Sequence, residues 1–162
     1  MVLPSVRLLQ WLRDAHALEE QAVTLNSWAA RRIEEYPELS ARMEQHLGET
    51  ERQRERLEQC IERHNGGTSA IKDVVAKLSA VGPMLSGLVV GDEVVKVGLA
   101  LYTFKHLEIG SYRILIAAAE EAGDHETRRA CQECLREELA MAQWLEENLE
   151  PLTNAYLARE AA

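Results

Sequence analysis

The stretch Pro37–His64 reads PELSARMEQHLGETERQRERLEQCIERH, and its apolar residues recur with the period of an α-helix. Positions spaced by three or four residues form one stripe along it: Leu39, Met43, His46, Thr50, Gln53, Leu57 and Ile61. This spacing places the side chains on one face of an α-helix that packs against other helices. Pro37 suits the first turn of such a helix, and Gly66-Gly67 supplies a C-terminal stop. The sequence therefore predicts a second helix over residues 38–64.

Two further helices flank this one along the chain. Apolar residues spaced by three, four or seven run through residues 5–35. Tyr36 ends that pattern, because a residue that precedes a proline avoids helical geometry. Another apolar stripe runs through residues 93–122, with Asp92 as its N-cap. The sequence predicts helices one and three over these two ranges.

The last helix has a defined start and a proline near its end. Gly123 ends helix three, and Asp124 stands where it can cap helix four. Pro151 follows the last apolar residues of the stripe, and proline interrupts the hydrogen-bond ladder of a helix. The sequence therefore predicts a fourth helix over residues 125–149 and a C-terminal tail over residues 151–162.

These elements read as two helical hairpins joined by a long connection. The short loops within each hairpin imply antiparallel neighbours, and the connection over residues 66–92 is long enough to pass from one end of a bundle to the other. With 162 residues, one domain spanning 1–162 is expected. The predicted fold class is all-α: a ferritin-like four-helix bundle with a long crossover containing short helices between helices two and three.

The composition restricts the environment and the partners. The formal net charge is −9, and nucleic acids and anionic membrane surfaces both require a basic patch, so neither is expected as a partner. No run approaches the roughly 18 apolar residues of a membrane span. The three cysteines, an odd number, do not form a disulfide framework, and no signal peptide is evident. A cytoplasmic location is expected.

Each predicted helix places an ionisable residue inside its own apolar stripe, near the middle of the helix. Mid-helix positions of four antiparallel helices meet at a similar depth, and buried charges are either paired or bound to metals. We therefore predict a metal site. Its ligands would be Glu19, His46, Glu49, Glu108 and Glu138. Glu20 and His16, on the flank of helix one, would replace Glu19 if that helix is rotated.

The type of ligand indicates the metal. Carboxylates with one or two imidazoles suit iron or manganese, whereas structural zinc prefers thiolates. Bridging carboxylates can hold two metals close together, and open positions can then activate oxygen or peroxide. The expected cofactor is a di-iron centre, with manganese as the alternative metal. If the protein is an enzyme, it would be a di-iron-type oxidoreductase.

Four segments also carry a resemblance to a known family. Four segments are similar to the YciE/YciF family: Trp11–Ala22 (WLRDAHALEEQA), His46–Glu58 (HLGETERQRERLE), Lys105–Tyr112 (KHLEIGSY) and Glu137–Glu147 (EELAMAQWLEE). That family belongs to the ferritin-like superfamily, and its members are bacterial and often stress-associated. The resemblance implies a four-helix ferritin-like fold, a homodimer and a di-iron site.

The chain departs from the di-metal pattern at three places. The superfamily uses Glu-x-x-His on its second and fourth helices, whereas this chain has His46-x-x-Glu49 and Glu138-x-x-Met141. Lys105 stands where a glutamate of the third-helix motif is expected, and its ammonium could substitute for part of a metal's charge. The alternative hypothesis is therefore a non-enzymatic structural or interaction module. Its inward acids would be paired with Lys105, histidine and water.

Overall fold

A computed structural model describes residues 3–64 and 94–161. Within these residues there are four helices and no strands: α1 Pro4–Ala30, α2 Pro37–Arg63, α3 Val94–Glu121 and α4 His125–Glu160. The all-α prediction is confirmed. The predicted crossover over residues 66–92 lies outside the described residues. None of the described helices is long and apolar enough to cross a membrane.

The first helix ends earlier than predicted. It stops at Ala30 rather than at residue 35, and the chain continues through turns closed by Arg32 N–H to the Ala29 carbonyl (2.8 Å) and Tyr36 N–H to the Ile33 carbonyl (2.8 Å). Ile33 is nevertheless fully buried. Ile33 continues the apolar spacing of α1, but a buried residue in a turn satisfies the same spacing. Periodicity alone therefore predicts a helix end that is too far along the chain.

The fourth helix continues past its predicted end at residue 149. Pro151 lies inside it, although a proline there removes one backbone hydrogen bond. The segment beyond the proline is held by packing and charge. Leu152 is buried against the apolar core, and Arg159 forms an ion pair with Glu35 at 2.6 Å. The predicted tail is therefore helix, because these tertiary contacts outweigh the local cost of the proline.

The junction between α3 and α4 follows the sequence prediction. Gly123 adopts a left-handed conformation with φ of 69°, which glycine tolerates without steric cost. The Asp124 carboxylate accepts a hydrogen bond from Thr127 N–H at 3.0 Å and caps α4. Asp124 also contacts the His64 ring at 2.8 Å, which ties the end of α2 to the start of α4.

The helices form a closed ring in cross-section. α1 packs against α2 and α3, and α4 packs against the same two helices, so α2 and α3 occupy opposite corners. Two apolar clusters fill the two ends of the bundle. One contains Leu8, Leu12, Ala15, Leu57, Cys60, Ile61, Tyr112, Leu115, Ala118, Ala119, Cys131 and Cys134. The other contains Ala29, Ile33, Leu39, Met43, Val94, Val97, Leu101, Met141, Leu145 and Leu152. A band of buried polar residues lies between them.

Candidate functional site

The band between the two clusters receives a buried ionisable residue from every helix. We call these five residues the polar layer: Glu19 of α1, His46 of α2, Lys105 and Glu108 of α3, and Glu138 of α4. All are at most 1% exposed. The structure therefore brings Glu19, His46, Glu108 and Glu138 to one depth in the bundle, as the sequence predicts.

Lys105 lies at the centre of this layer. Its ammonium nitrogen is 2.5 Å from Glu108 Oε2, 2.9 Å from Glu138 Oε2 and 2.8 Å from His46 Nε2. His46 Nε2 is also 3.6 Å from Glu138 Oε1. The ammonium thus contacts three of the predicted metal ligands, which come from three different helices.

His46 connects the polar layer to its edge. Its Nε2 accepts from the Lys105 ammonium, so its Nδ1 carries the hydrogen and donates to Glu49 Oε2 at 2.8 Å. Burial, and next the charge of Lys105, lowers the pKa of His46, so the ring is neutral. Burial acts to raise the pKa of Glu49, but the hydrogen bond to His46 and the charge of Arg42 lower it to about 2. Glu49 is therefore ionised, and with a side chain that is 12% exposed it lies at the edge of the polar layer.

Glu19 is bound differently from the other acids. The Tyr112 hydroxyl donates to Glu19 Oε1 at 2.5 Å, while Oε2 accepts no hydrogen bond from the described residues. Burial, and next the negative charge of Glu138, raises the pKa of Glu19 to about 8. Tyr112 is not among the site residues that the sequence predicts. Its position one turn after Glu108 on the same stripe was the signal that it faces the polar layer.

The layer balances its charge with one ammonium and protons. Burial, and next the charge of Glu138, raises the pKa of Glu108 well above its ordinary value. Burial acts to raise the pKa of Glu138 too, but the charge of Lys105 outweighs it and lowers that pKa. Burial likewise acts to lower the pKa of Lys105, and the carboxyl groups of Glu108 and Glu138 raise it. At neutral pH Lys105 and Glu138 form an ion pair, whereas the raised pKa values of Glu19 and Glu108 favour the protonated forms of these two acids.

A second set of polar contacts covers the layer between α2 and α4. Arg56 forms a two-pronged contact with Glu137 at 2.8 and 3.1 Å, and Gln53 donates to the same carboxylate at 2.9 Å. On the α1 side, the Asn26 amide donates to Thr50 at 3.2 Å. Arg56 lies in a stretch where arginines alternate with glutamates, a pattern typical of a solvated helix face. The cross-helix pair with Glu137 needs the relative rotation of α2 and α4, which the sequence does not report.

The two reserve ligands stand apart from Lys105. His16 is buried, and its pKa is lowered by burial despite the nearby charges of Glu20 and Glu58. Its Nδ1 has no hydrogen bond from the described residues. Glu20 is only partly buried. Neither residue takes part in the Lys105 contacts, so α1 presents Glu19 to the layer.

A metal does not fit among these groups as they stand. Within residues 3–64 and 94–161, no three His, Cys, Asp or Glu side chains are grouped so as to hold a metal ion. The space between Glu108, Glu138 and His46 contains the Lys105 ammonium, which is a donor and not a ligand. One oxygen of each acid contacts this ammonium, and the other oxygens, Glu108 Oε1 and Glu138 Oε1, accept no hydrogen bond from the described residues.

An antiparallel ring of four helices with inward carboxylates and an imidazole at mid-depth defines the class of ferritin-like bundles. The chain belongs to the family described as "Domain of unknown function (DUF892)", which matches residues 5–158. The resemblance to the YciE/YciF family is thereby confirmed.

Solved structures show the same fold. A protein from Xanthomonas campestris pv. campestris is 38% identical, with a TM-score of 0.81, over 98% of this chain and 99% of that one. YcfI from Rhodopseudomonas palustris, described as "a putative structural protein", is 25% identical with a TM-score of 0.70, over 90% and 94%. The E. coli stress protein YciF is 23% identical with a TM-score of 0.74, over 95% and 99%, and shows the fold alone.

Proposed function

We propose that this protein is a non-enzymatic, stress-associated helical module whose inward acids are held by a lysine. One observation carries the proposal: the Lys105 ammonium contacts Glu108, Glu138 and His46 within 2.9 Å. A di-iron oxidoreductase needs these three groups as ligands together with open positions for oxygen. Here a side chain of the protein supplies the cation. The stress association is an inference from the family, in which the similar E. coli protein YciF is called a stress protein.

The lysine also supports a structural role. Its contacts join α2, α3 and α4, and α2 and α3 do not pack directly side by side. A buried polar contact of this kind can fix the relative position of helices, since a shifted register leaves a charge unpaired. The polar layer would therefore specify one packing of the bundle without requiring a metal supply.

We further propose that the module acts as a homodimer in the cytoplasm. A groove between α1 and α3 is lined by apolar side chains that include Trp11, Leu107 and Ile114, which are 39%, 39% and 54% exposed. Copies of a chain with a net charge of −9 repel one another, and this repulsion is weakest at a surface that has few acidic residues. Asp14 is the single acidic residue that lines this groove. A second copy of the chain is therefore the occupant that this surface suits.

A second candidate is the iron or manganese centre that the sequence predicts, with activity towards oxygen or peroxide. It is supported by the convergence of Glu19, His46, Glu108 and Glu138, and by carboxyl oxygens that retain acceptor capacity. It requires the Lys105 side chain to leave the middle of the layer. Glu49 would then join through its contact with His46.

Metal analysis separates the two candidates. The protein is purified without chelators from cells supplied with iron and manganese, and its metal content and melting temperature are measured before and after chelation. The lysine-held module predicts far less than one metal per chain and an unchanged melting temperature. Near-stoichiometric iron or manganese that is lost in a Glu108→Ala/Glu138→Ala variant, but kept in the exposed control Glu62→Ala, would overturn it in favour of the metal centre.

Dimerisation is measured separately, by light scattering after size exclusion. The wild type should elute as a dimer. Ile114→Glu should elute as a monomer, because a dimer of this variant would bury an unpaired charge in the contact. A monomeric wild type at micromolar concentration contradicts the dimer and leaves the lysine-held module standing on its own test.

A further inference from the structure

We propose that a pocket between the start of α2 and the second half of α4 binds a small amphiphilic cation, which has an apolar or aromatic body and one ammonium group. The pocket has a volume of about 440 Å³, which is within the range of small-molecule sites in proteins. It lies across the ring of helices from the groove between α1 and α3. The inference is therefore independent of the polar layer and of the dimer contact.

The walls of the pocket are apolar and are held by the core. They consist of two aromatic rings, two prolines and two leucines: Tyr36, Trp144, Pro37, Pro151, Leu39 and Leu152. Both leucines are buried, and both aromatic rings pack against the apolar cluster to which the leucines belong. A wall that is already packed suits the apolar body of a ligand, because few side chains have to become ordered on binding.

The charge at the pocket favours a cation over an anion. Glu38 is exposed and is the only charged side chain among the lining residues, all of which belong to the described part of the chain. Glu147 follows Trp144 by three residues and precedes Pro151 by four, so it stands on the flank of the same face of α4. The chain as a whole has a net charge of −9. An anionic ligand would therefore be repelled, whereas a cation meets a carboxylate at the pocket.

The aromatic rings supply a second attraction for a cation. The face of a tryptophan or tyrosine ring attracts a positive charge that lies within about 6 Å of its centroid. Tyr36 has such a neighbour, since the guanidinium carbon of Arg159 lies 5.3 Å from its ring centroid and the same guanidinium donates to Glu35 at 2.6 Å. Trp144 and Glu38 offer the ammonium of a ligand the same combination of an aromatic ring and a carboxylate.

One polar group of the pocket can orient the ammonium. The Asn148 amide nitrogen donates to the Trp144 carbonyl at 2.7 Å. This bond leaves the side-chain oxygen of Asn148 as an acceptor, and an ammonium has three hydrogens to donate. The pocket thus combines an apolar wall, an aromatic ring, a carboxylate and an amide oxygen, which together suit a ligand with one cationic end.

The test uses two probes that share a body and differ in charge, phenylbutylammonium and phenylbutyrate, in heteronuclear NMR titrations of the full chain. The three tryptophans report on three places. Trp144 lines the pocket, Trp11 lines the groove between α1 and α3, and Trp28 lies beside Arg32. Phenylbutylammonium should shift the indole signal of Trp144 until it saturates, without shifting the other two. Phenylbutyrate should bind about tenfold more weakly or not at all.

Two substitutions separate the charge of the pocket from its space. Glu38→Gln keeps the size of the side chain but removes its charge, and should weaken binding of the cation about fivefold. Glu44→Gln is the matched control, because it lies at an exposed position of the same helix outside the pocket, and it should bind as the wild type does. Ala155→Phe fills the pocket from an exposed position of α4 and should abolish the shift of Trp144.

The proposal is overturned if phenylbutylammonium at millimolar concentration leaves the Trp144 signal in place, or if phenylbutyrate binds as tightly as the cation. A shift of Trp11 without a shift of Trp144 also overturns it, because the ligand would then occupy the groove between α1 and α3. Equal binding of the cation by Glu38→Gln and the wild type would refute the role of the carboxylate and with it the proposed class of ligand.

Discussion

The ammonium nitrogen of Lys105 lies 2.8 Å from Nε2 of His46, and this contact joins two helices that occupy opposite corners of the bundle. A buried ammonium requires partners, since an isolated charge in an apolar interior is strongly unfavourable. His46, Glu108 and Glu138 supply them from three helices. The polar layer is thus organised around the side chain of Lys105.

Replacing Lys105 by Met should destabilise the protein by about 3–5 kcal/mol at pH 7, because Glu138 is left buried without its counter-ion. The pKa of Glu138 is lowered in the fold, so its contribution is present above the unfolded pKa and is lost as the pH falls through the folded pKa. In the variant the ammonium is gone, and burial then raises the pKa of Glu138 above its unfolded value. The folded variant therefore takes up a proton as the pH falls from 7 to 5, whereas the wild type does not, so the cost of the substitution should shrink over this range by about 1.4 kcal/mol per unit of pKa difference.

Urea denaturation of the wild type and Lys105→Met at both pH values measures this difference. Lys96→Ala serves as the matched control and should cost little at either pH. A Lys105→Met variant as stable as the wild type at pH 7 would show that the ammonium does not hold Glu138.

Glu19 should make the protein less stable as the pH rises. Its pKa is raised from 4.5 to about 8 by burial and by the charge of Glu138. Between these values the unfolded chain has released the proton and the folded chain has kept it, so folding takes up a proton and the free energy of unfolding falls with pH. The loss is on the order of a few kcal/mol and ends above pH 8.

Glu19→Gln keeps an oxygen that can accept from Tyr112 but cannot ionise. It should flatten the fall in stability between pH 5 and pH 8, although Glu108, with a pKa raised in the same direction, retains part of it. Denaturation across this range measures the slope, and Glu20→Gln, one residue further along α1, should leave it unchanged. Equal slopes for all three proteins would contradict the assignment of the proton to Glu19.

The end of α4 should respond in opposite directions to two adjacent substitutions. Pro151→Ala restores a backbone donor inside the helix and should stabilise the protein, by up to about 3 kcal/mol. Leu152→Ala removes a buried side chain from the apolar core and should cost about 2–5 kcal/mol. Thermal unfolding monitored by circular dichroism tests both. No cost for Leu152→Ala would mean that packing does not hold the helix past the proline.

The sequence predicts the architecture well because helical periodicity reports directly which residues face inward. The seam from Leu39 to Ile61 and the cap at Asp124 both appear in the structure as predicted. Helix ends are harder to predict, since Ile33 is buried in a turn and Leu152 is buried beyond a proline. Tertiary packing determines where these two helices end, and a local sequence pattern does not report tertiary packing.

The candidate site, too, is predicted by the sequence only in part. The depth of Glu19, Glu108 and Glu138 within their helices predicts that they converge. Sequence spacing does not show which group lies between these acids, because its position depends on the rotamer of Lys105 and on the rotation of each helix. Tyr112 was missed as a partner of Glu19 for this reason. The metal remains a prediction, and the lysine is the cation that the structure contains.

A crystal structure of wild-type protein produced in cells supplied with iron and manganese, with anomalous data collected at both metal absorption edges, would show whether Lys105 or a metal occupies the polar layer. We predict density for the Lys105 side chain between Glu108 and Glu138 and no anomalous peak within the polar layer. An anomalous peak between those carboxylates, with the lysine turned away from His46, would contradict it.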